Sequence, residues 1–137
     1  MKIAVIGTGN VGGALAAKWA GKGHEIFLGV RDVNGFKGKE LLSNPNTSVL
    51  PIKEAVKNSE VILISVPAPA AAETAESLGD TSGKIIIDSM NIVMGRGPAG
   101  FTNTADAILK NTQSREVIKC FNCTGFNNME NTVYGTT

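Results

Sequence analysis

Short apolar runs alternate with amphipathic segments along this chain. Continuous runs of apolar residues that open on glycine, proline or polar residues are typical of strands buried on both faces of a parallel sheet. Strands are therefore predicted over residues 2–6, 25–30, 48–50, 61–66, 84–88 and 117–121. The run at 61–66 is the clearest of them, and the run at 48–50 is the shortest.

The segments between these strands carry helical periodicity. Val11, Leu15 and Trp19 recur every four residues and form one apolar stripe, and glycines at 21 and 23 end this helix. Further helices are predicted over 51–56, 69–78 and 105–110, with a short one over 39–42. Strands that alternate with helices predict an α/β fold with a right-handed, doubly wound parallel sheet, in strand order 3-2-1-4-5-6. A ligand is then expected outside the carboxyl ends of strands one and four.

A glycine-rich loop joins the first strand to the first helix. It matches the G-x-G-x-x-G pattern with Gly7, Thr8, Gly9, Asn10, Val11 and Gly12. In this context the first glycine permits a tight turn, the second lets a pyrophosphate approach the backbone, and the third lets the helix pack closely on the strand. The free N–H groups of the helix N-terminus favour phosphate. The alternative is a glycine-rich turn that only links strand and helix.

The residues after strand two bear on the choice of dinucleotide. A count of about 20 residues from the last motif glycine reaches Asp32, which would favour NAD. The end of strand two instead places Val30 and Arg31 at the ligand, and Val30 cannot accept hydrogen bonds from a ribose. Arg31 can pair with the 2′-phosphate of NADP, and Lys37 is a second candidate cation. NADP(H) is therefore the predicted cofactor, and ordinary solvated surface charges are the alternative.

The ends of strands four and five supply the other candidate residues. Ser65, Val66 and Pro67 close strand four at the expected ligand crevice, where the proline stiffens the loop. Asp88 ends strand five and is expected to cap the long loop that follows. Asn91 in that loop can hydrogen-bond a carboxamide or a substrate carbonyl.

Composition excludes several classes of function. Apolar residues make up 42% and charged residues 18% of the 137, so wholesale disorder is excluded. The net charge of +1 with no basic stripe argues against nucleic acid, and no apolar run approaches the ~20 residues of a membrane span. No export signal precedes the first strand, so a cytoplasmic protein is expected. Cys120 and Cys123 form C-x-x-C, but only His24 remains as a further zinc ligand, and no metal site is predicted.

Several motifs together resemble a known family. The first strand with its loop, the stretches 28–32, 64–67 and 87–91, and the stretch 119–129 look like NADPH-dependent reductases of the deazaflavin coenzyme F420. They look equally like the broader group of dinucleotide-binding oxidoreductases around those enzymes. The resemblance implies that residues 8–11 and Arg31 hold NADP, with the nicotinamide near residues 65–67, Met90 and Asn91.

The resulting expectation is an NADP-dependent oxidoreductase formed by one Rossmann domain over residues 1–137. It would transfer hydride between NADPH and a small-molecule acceptor, either flavin-like or deazaflavin-like, or a carbonyl or imine. Hydride transfer needs little acid–base chemistry from the protein, so no catalytic side chain is assigned. The alternatives are a non-catalytic NADP-binding or sensing module and an imine reductase resembling the pyrroline-5-carboxylate reductases.

The family's usual C-terminal helical segment is absent from these 137 residues. Residues 122–137 are too short to cover a pocket of several hundred Å³, so weak turnover of flavin-like acceptors is expected. Apolar surface near strand six would then favour a homo-oligomer.

Overall fold

The structure, a computed structural model, describes residues 1–133 and 135 and contains one parallel sheet. Residues 134, 136 and 137, at the end of the predicted 1–137 domain, lie outside the described residues. The sheet has six strands in the order β3-β2-β1-β4-β5-β6, which confirms the predicted doubly wound topology. The strands are β1 (Lys2–Ile6), β2 (Glu25–Val30), β3 (Thr47–Pro51), β4 (Val61–Ile64), β5 (Ile85–Asp88) and β6 (Glu116–Lys119).

Helices cover both faces of the sheet. They are α1 (Asn10–Gly21), α2 (Ile52–Lys57), α3 (Ala71–Ser77), α4 (Thr104–Asn111) and α5 (Phe126–Glu130), with 3-10 turns at Lys39–Ser43 and Ala68–Ala70. Side chains alternate across each strand, so Ala4 and Ile6 of β1 pack with α2, α3 and α4, whereas Ile3 and Val5 pack with α1 and α5. Burial on both faces explains why β1 reads as a continuous apolar run.

The register of the central strands sets the position of the loops. Ile6 at the end of β1 lies opposite Ile64 of β4 on one side and Gly29 of β2 on the other. The backbone N–H of Ser65 also donates to the carbonyl of Ile6 at 2.8 Å. The loops that follow β1, β2 and β4 therefore leave the sheet side by side at its carboxyl edge.

Two strands end two residues earlier than the sequence-based expectation. β4 ends at Ile64 rather than at residue 66, because the chain turns toward Pro67, which has no N–H to donate to a ladder. β6 ends at Lys119 rather than at residue 121, and Phe121 has a positive φ of 69° that breaks the extended conformation. Cys120 thus follows the strand instead of lying inside it.

The helix α5 is missing from the sequence-based expectation, which placed no element after strand six. Met129 on α5 is buried, and Phe126 packs with the α1 side of the core. Trp19 of α1 meets Phe121 edge to face, with ring centroids 6.0 Å apart. The contacts of Phe126 and Met129, rather than local periodicity, fix the short helix against the domain.

Some surface features bear on the other expectations. Ile118 on the edge strand β6 is 50% exposed, in keeping with apolar surface at that edge. Among the described residues, the helices lack the length and apolar character that a membrane crossing requires.

In the loop before β5, hydrogen bonds from the side chain and the backbone of Ser82 lower the pKa of Asp80. That carboxyl lies at the amino edge of the sheet, away from the loops after β1, β2 and β4.

Candidate functional site

The turn at Gly7 brings the glycine-rich loop against the end of β4. Gly7 has φ of 99°, in the left-handed region that favours glycine. A Cβ built on it would lie 2.2 Å from the carbonyl oxygen of Ser65. Both the backbone conformation and the close approach therefore require glycine here.

Gly12 and Gly9 have different surroundings. A Cβ on Gly12 would lie 1.9 Å from the carbonyl oxygen of Gly7, so the missing side chain lets α1 start directly on the loop. A Cβ on Gly9 would meet no heavy atom of the described residues within 4 Å. Protein packing thus accounts for glycine at positions 7 and 12 but leaves open space beside position 9.

The N-terminus of α1 faces this open space. Gly9 is the N-cap residue and its carbonyl accepts the first helical bond, from the N–H of Gly13 at 2.8 Å. The N–H groups of Asn10, Val11 and Gly12 precede that bond, so they have no partner within the helix. Free N–H groups and the positive end of the helix dipole are suited to an anion.

A cleft of about 320 Å³ lies at the carboxyl edge between β1, β4 and β5. It brings together eight of the predicted site residues and adds Ser89. Its lining is Gly9, Asn10, Val11, Ser65, Val66, Pro67, Ser89, Met90 and Asn91. Met90 is nearly fully buried, whereas Asn91 is exposed.

A second cleft of about 370 Å³ lies between the end of β2 and α3. Gly7, Thr8 and Arg31 line it together with Val66 and Pro67, which also border the first cleft. The two clefts are thus adjacent, separated by the glycine-rich loop and the loop after β4. This arrangement suits an elongated ligand that crosses the carboxyl edge of the sheet.

Lys37 lies apart from Arg31. It lines a third cleft of about 570 Å³, on the outer side of α1, which also borders Thr8 and Gly9. The hydroxyl of Thr8 donates to the carbonyl of Lys37 and ties the glycine-rich loop to the segment after β2. Lys37 and Arg31 therefore flank Thr8 from two different clefts.

Asp32 and Arg31 both have partners within the protein. One carboxylate oxygen of Asp32 accepts a hydrogen bond from the N–H of Asn34 at 2.9 Å. This bond closes a local turn and engages that oxygen. The guanidinium of Arg31 pairs with Glu73 of α3 at 3.0 Å, and about 70% of each side chain is exposed.

A buried ionic cluster that was not predicted supports the loop after β5. Asp88 is fully buried, and it accepts hydrogen bonds from the N–H of Met90 at 2.9 Å and from the hydroxyl of Thr104 at 2.5 Å. Lys119 pairs with Asp88 at 3.1 Å and also donates to Thr104 and to the carbonyl of Met90. The expected capping of the loop by Asp88 is thereby confirmed. Asp88 at the end of predicted strand five and Lys119 inside predicted strand six carry opposite charges, which was the available signal for Lys119.

This sheet and its glycine-rich loop define a nucleotide-binding Rossmann fold. The model of the family described as NADP oxidoreductase, coenzyme F420-dependent, matches residues 2–92. The chain belongs to this family, and the resemblance read from its motifs is confirmed.

Solved structures share the fold. A crystal structure from Arthrobacter sp. FB24, provisionally assigned as an F420-dependent NADP reductase, has a TM-score of 0.79 at 22% identity and aligns with 93% of this chain. A hypothetical protein from Sinorhizobium meliloti gives a TM-score of 0.77 at 19% identity over 95% of this chain. The chain covers 65% of each of these structures.

A curated relative is similar over part of its length. Glycerol-3-phosphate dehydrogenase [NAD(P)+] of Thermoanaerobacter sp. (strain X514) is 35% identical over 100 residues, a region that spans 64% of this chain. The matched region is only 30% of that dehydrogenase. The likeness is confined to less than a third of the enzyme.

Proposed function

We propose that this chain binds NADP(H) across the carboxyl edge of the sheet and takes part in hydride transfer between the nicotinamide and a small flavin-like, deazaflavin-like, carbonyl or imine acceptor. The open space beside Gly9 carries the proposal. That space lies at the N-terminus of α1, where free N–H groups suit a pyrophosphate, and no packing within the protein requires glycine there.

Each part of the cofactor has candidate residues. The pyrophosphate would be held by Gly9 and the first N–H groups of α1, and the adenosine end by Thr8 and Arg31 in the second cleft. The nicotinamide end would lie in the first cleft, whose lining includes Pro67, Met90 and Asn91. When bound, the cofactor supplies the hydride, and the chain's own residues supply orientation.

We expect the protein groups in the first cleft to orient a ring rather than to exchange protons. Pro67 restricts the loop after β4, and the hydroxyl of Ser89 donates to the carbonyl of Ile64 at 3.2 Å, which joins the loops after β4 and β5. The largely buried side chain of Met90 contributes apolar surface to the lining of this cleft. Asn91 is exposed beside that surface and is available to a carboxamide or an acceptor carbonyl.

NADP(H) is favoured over NAD(H) by the side chains at the end of β2. Val30 offers no acceptor to ribose hydroxyls, and one oxygen of Asp32 is already engaged by Asn34. Arg31 lines the second cleft and presents an exposed guanidinium that can make a charge-assisted hydrogen bond to a 2′-phosphate.

Replacement of Arg31 by alanine is expected to weaken NADPH binding selectively. A charge-assisted bond to the 2′-phosphate contributes about 1.5–3 kcal/mol, or roughly 10- to 150-fold in affinity. NADH has no 2′-phosphate, so its affinity should change little. Fluorescence titration of both cofactors into wild type and Arg31→Ala measures the difference.

Arg115→Ala is the matched control, because Arg115 is exposed just before β6 at the opposite edge of the sheet. It should leave both affinities unchanged. Preferential NADH binding by wild type that is abolished by Asp32→Ala would contradict the proposed cofactor preference.

Stopped-flow oxidation of NADPH in the presence of deazaflavin, flavin and imine compounds tests the hydride transfer itself. Turnover with one class would identify the acceptor chemistry. Tight NADPH binding without oxidation by any of them would instead favour the non-catalytic binding module.

A further inference from the structure

The ion pair between Arg31 and Glu73 joins two walls of the second cleft. Arg31 follows β2 on one wall, and Glu73 lies in the first turn of α3, whose residue Thr74 lines the other wall. The two residues are separated by 42 positions in the sequence. The guanidinium proposed to bind the 2′-phosphate is therefore already engaged by a carboxylate across the cleft.

We propose that Glu73 is a specificity-determining residue that lowers the preference of this chain for NADP(H) over NAD(H). This inference rests on the proposed function. The carboxylate of Glu73 competes with the 2′-phosphate for one guanidinium. A ligand without the 2′-phosphate does not need Arg31 and meets no such competition.

The charges in the cleft set the direction of the effect. A phosphate monoester carries about −1.5 to −2 charges near neutral pH, so it is repelled by a carboxylate that lies 3.0 Å from its partner cation. Either Arg31 leaves Glu73, or both anions share the same cation. Since both side chains are about 70% exposed, water screens the pair, and the penalty corresponds to about two- to fivefold in affinity.

Glu73→Gln tests the inference, because it removes the negative charge and keeps the shape of the side chain. Calorimetric titration with 2′-phospho-ADP-ribose and with ADP-ribose isolates the adenosine half of the cofactor. The variant should bind 2′-phospho-ADP-ribose about two- to fivefold more tightly than wild type and should bind ADP-ribose equally well.

Glu76→Gln is the matched control, since Glu76 is an exposed carboxylate on the same helix that does not line the second cleft. It should change neither affinity. The gain from Glu73→Gln should also become smaller in an Arg31→Ala background, where only direct repulsion by the carboxylate remains, and it should shrink in high salt, which screens exposed charges.

Two results would overturn the inference. One is an unchanged or weaker affinity of Glu73→Gln for 2′-phospho-ADP-ribose, which would show that Glu73 is neutral or helps to orient Arg31. The other is a full gain that persists without Arg31. Failure of the proposed function is distinguishable from both, because wild type would then bind neither ADP-ribose compound.

Discussion

Gly9→Ala is expected to fold as stably as the wild-type chain and to lose NADPH binding by roughly 100-fold or more. The added methyl group would occupy the space proposed for the pyrophosphate, and forced overlap of this kind costs on the order of 3 kcal/mol. The fold should tolerate the change because the new Cβ meets no described heavy atom within 4 Å. The backbone at Gly9 also has φ of −74°, which alanine adopts without strain.

The other glycines of the helix provide the controls. Gly21→Ala adds the same methyl at the far end of α1, also into open space, and should leave binding unchanged. Gly12→Ala should instead destabilise the fold, because its Cβ would lie 1.9 Å from the carbonyl oxygen of Gly7. Urea denaturation and NADPH titration of the three variants separate binding from folding.

A folded Gly9→Ala variant that binds NADPH as tightly as wild type would show that the pyrophosphate does not pass Gly9. The proposed position of the cofactor on this chain would then be wrong.

The fold was predictable because its signals are local. Buried strands read as unbroken apolar runs, and the helix stripe at Val11, Leu15 and Trp19 follows directly from the sequence. The G-x-G-x-x-G motif also predicted the packing roles of Gly7 and Gly12. The close contacts that a Cβ would make at each position confirm both roles. Topology then follows from handedness rules that leave few arrangements of alternating strands and helices.

Features that depend on distant side chains were not predictable. The helix α5 has only five residues, and contacts of Phe126 and Met129 with the α1 side of the core hold it in place. Short helices are marginal without such packing, so their sequences carry little signal. The partner of Arg31 on α3 depends in the same way on how two loops are placed across a cleft.

The ionic cluster behind Met90 is a further case of this kind. Asp88 and Lys119 lie opposite each other in the register of β5 and β6, so the sheet places them together although 31 positions separate them. In the sequence, Asp88 stands at the end of predicted strand five and Lys119 inside predicted strand six. Their pairing became evident only from the parallel register of the two strands.

Lys119→Met is expected to destabilise the fold by about 3–5 kcal/mol, because it leaves the buried carboxylate of Asp88 without its cation. The lower end of this range is expected, since 37% of the Lys119 side chain is exposed and water can reach the remaining charge. Folded domains have only about 5–15 kcal/mol of stability, so the loss should be plain in urea denaturation. Lys22→Met, at an exposed position after α1, should change the stability by less than about 0.5 kcal/mol.

Two further variants keep this prediction testable if Lys119→Met does not fold. Lys119→Arg preserves the positive charge and should retain most of the stability. Asp88→Asn combined with Lys119→Met removes both charges, and the amide can still accept from the N–H of Met90 and donate to the hydroxyl of Thr104. The double variant should therefore be more stable than Lys119→Met alone, because no unpaired charge is buried. Equal stability of the two would show that the ionic pairing of Asp88 is not what Lys119 contributes to the fold.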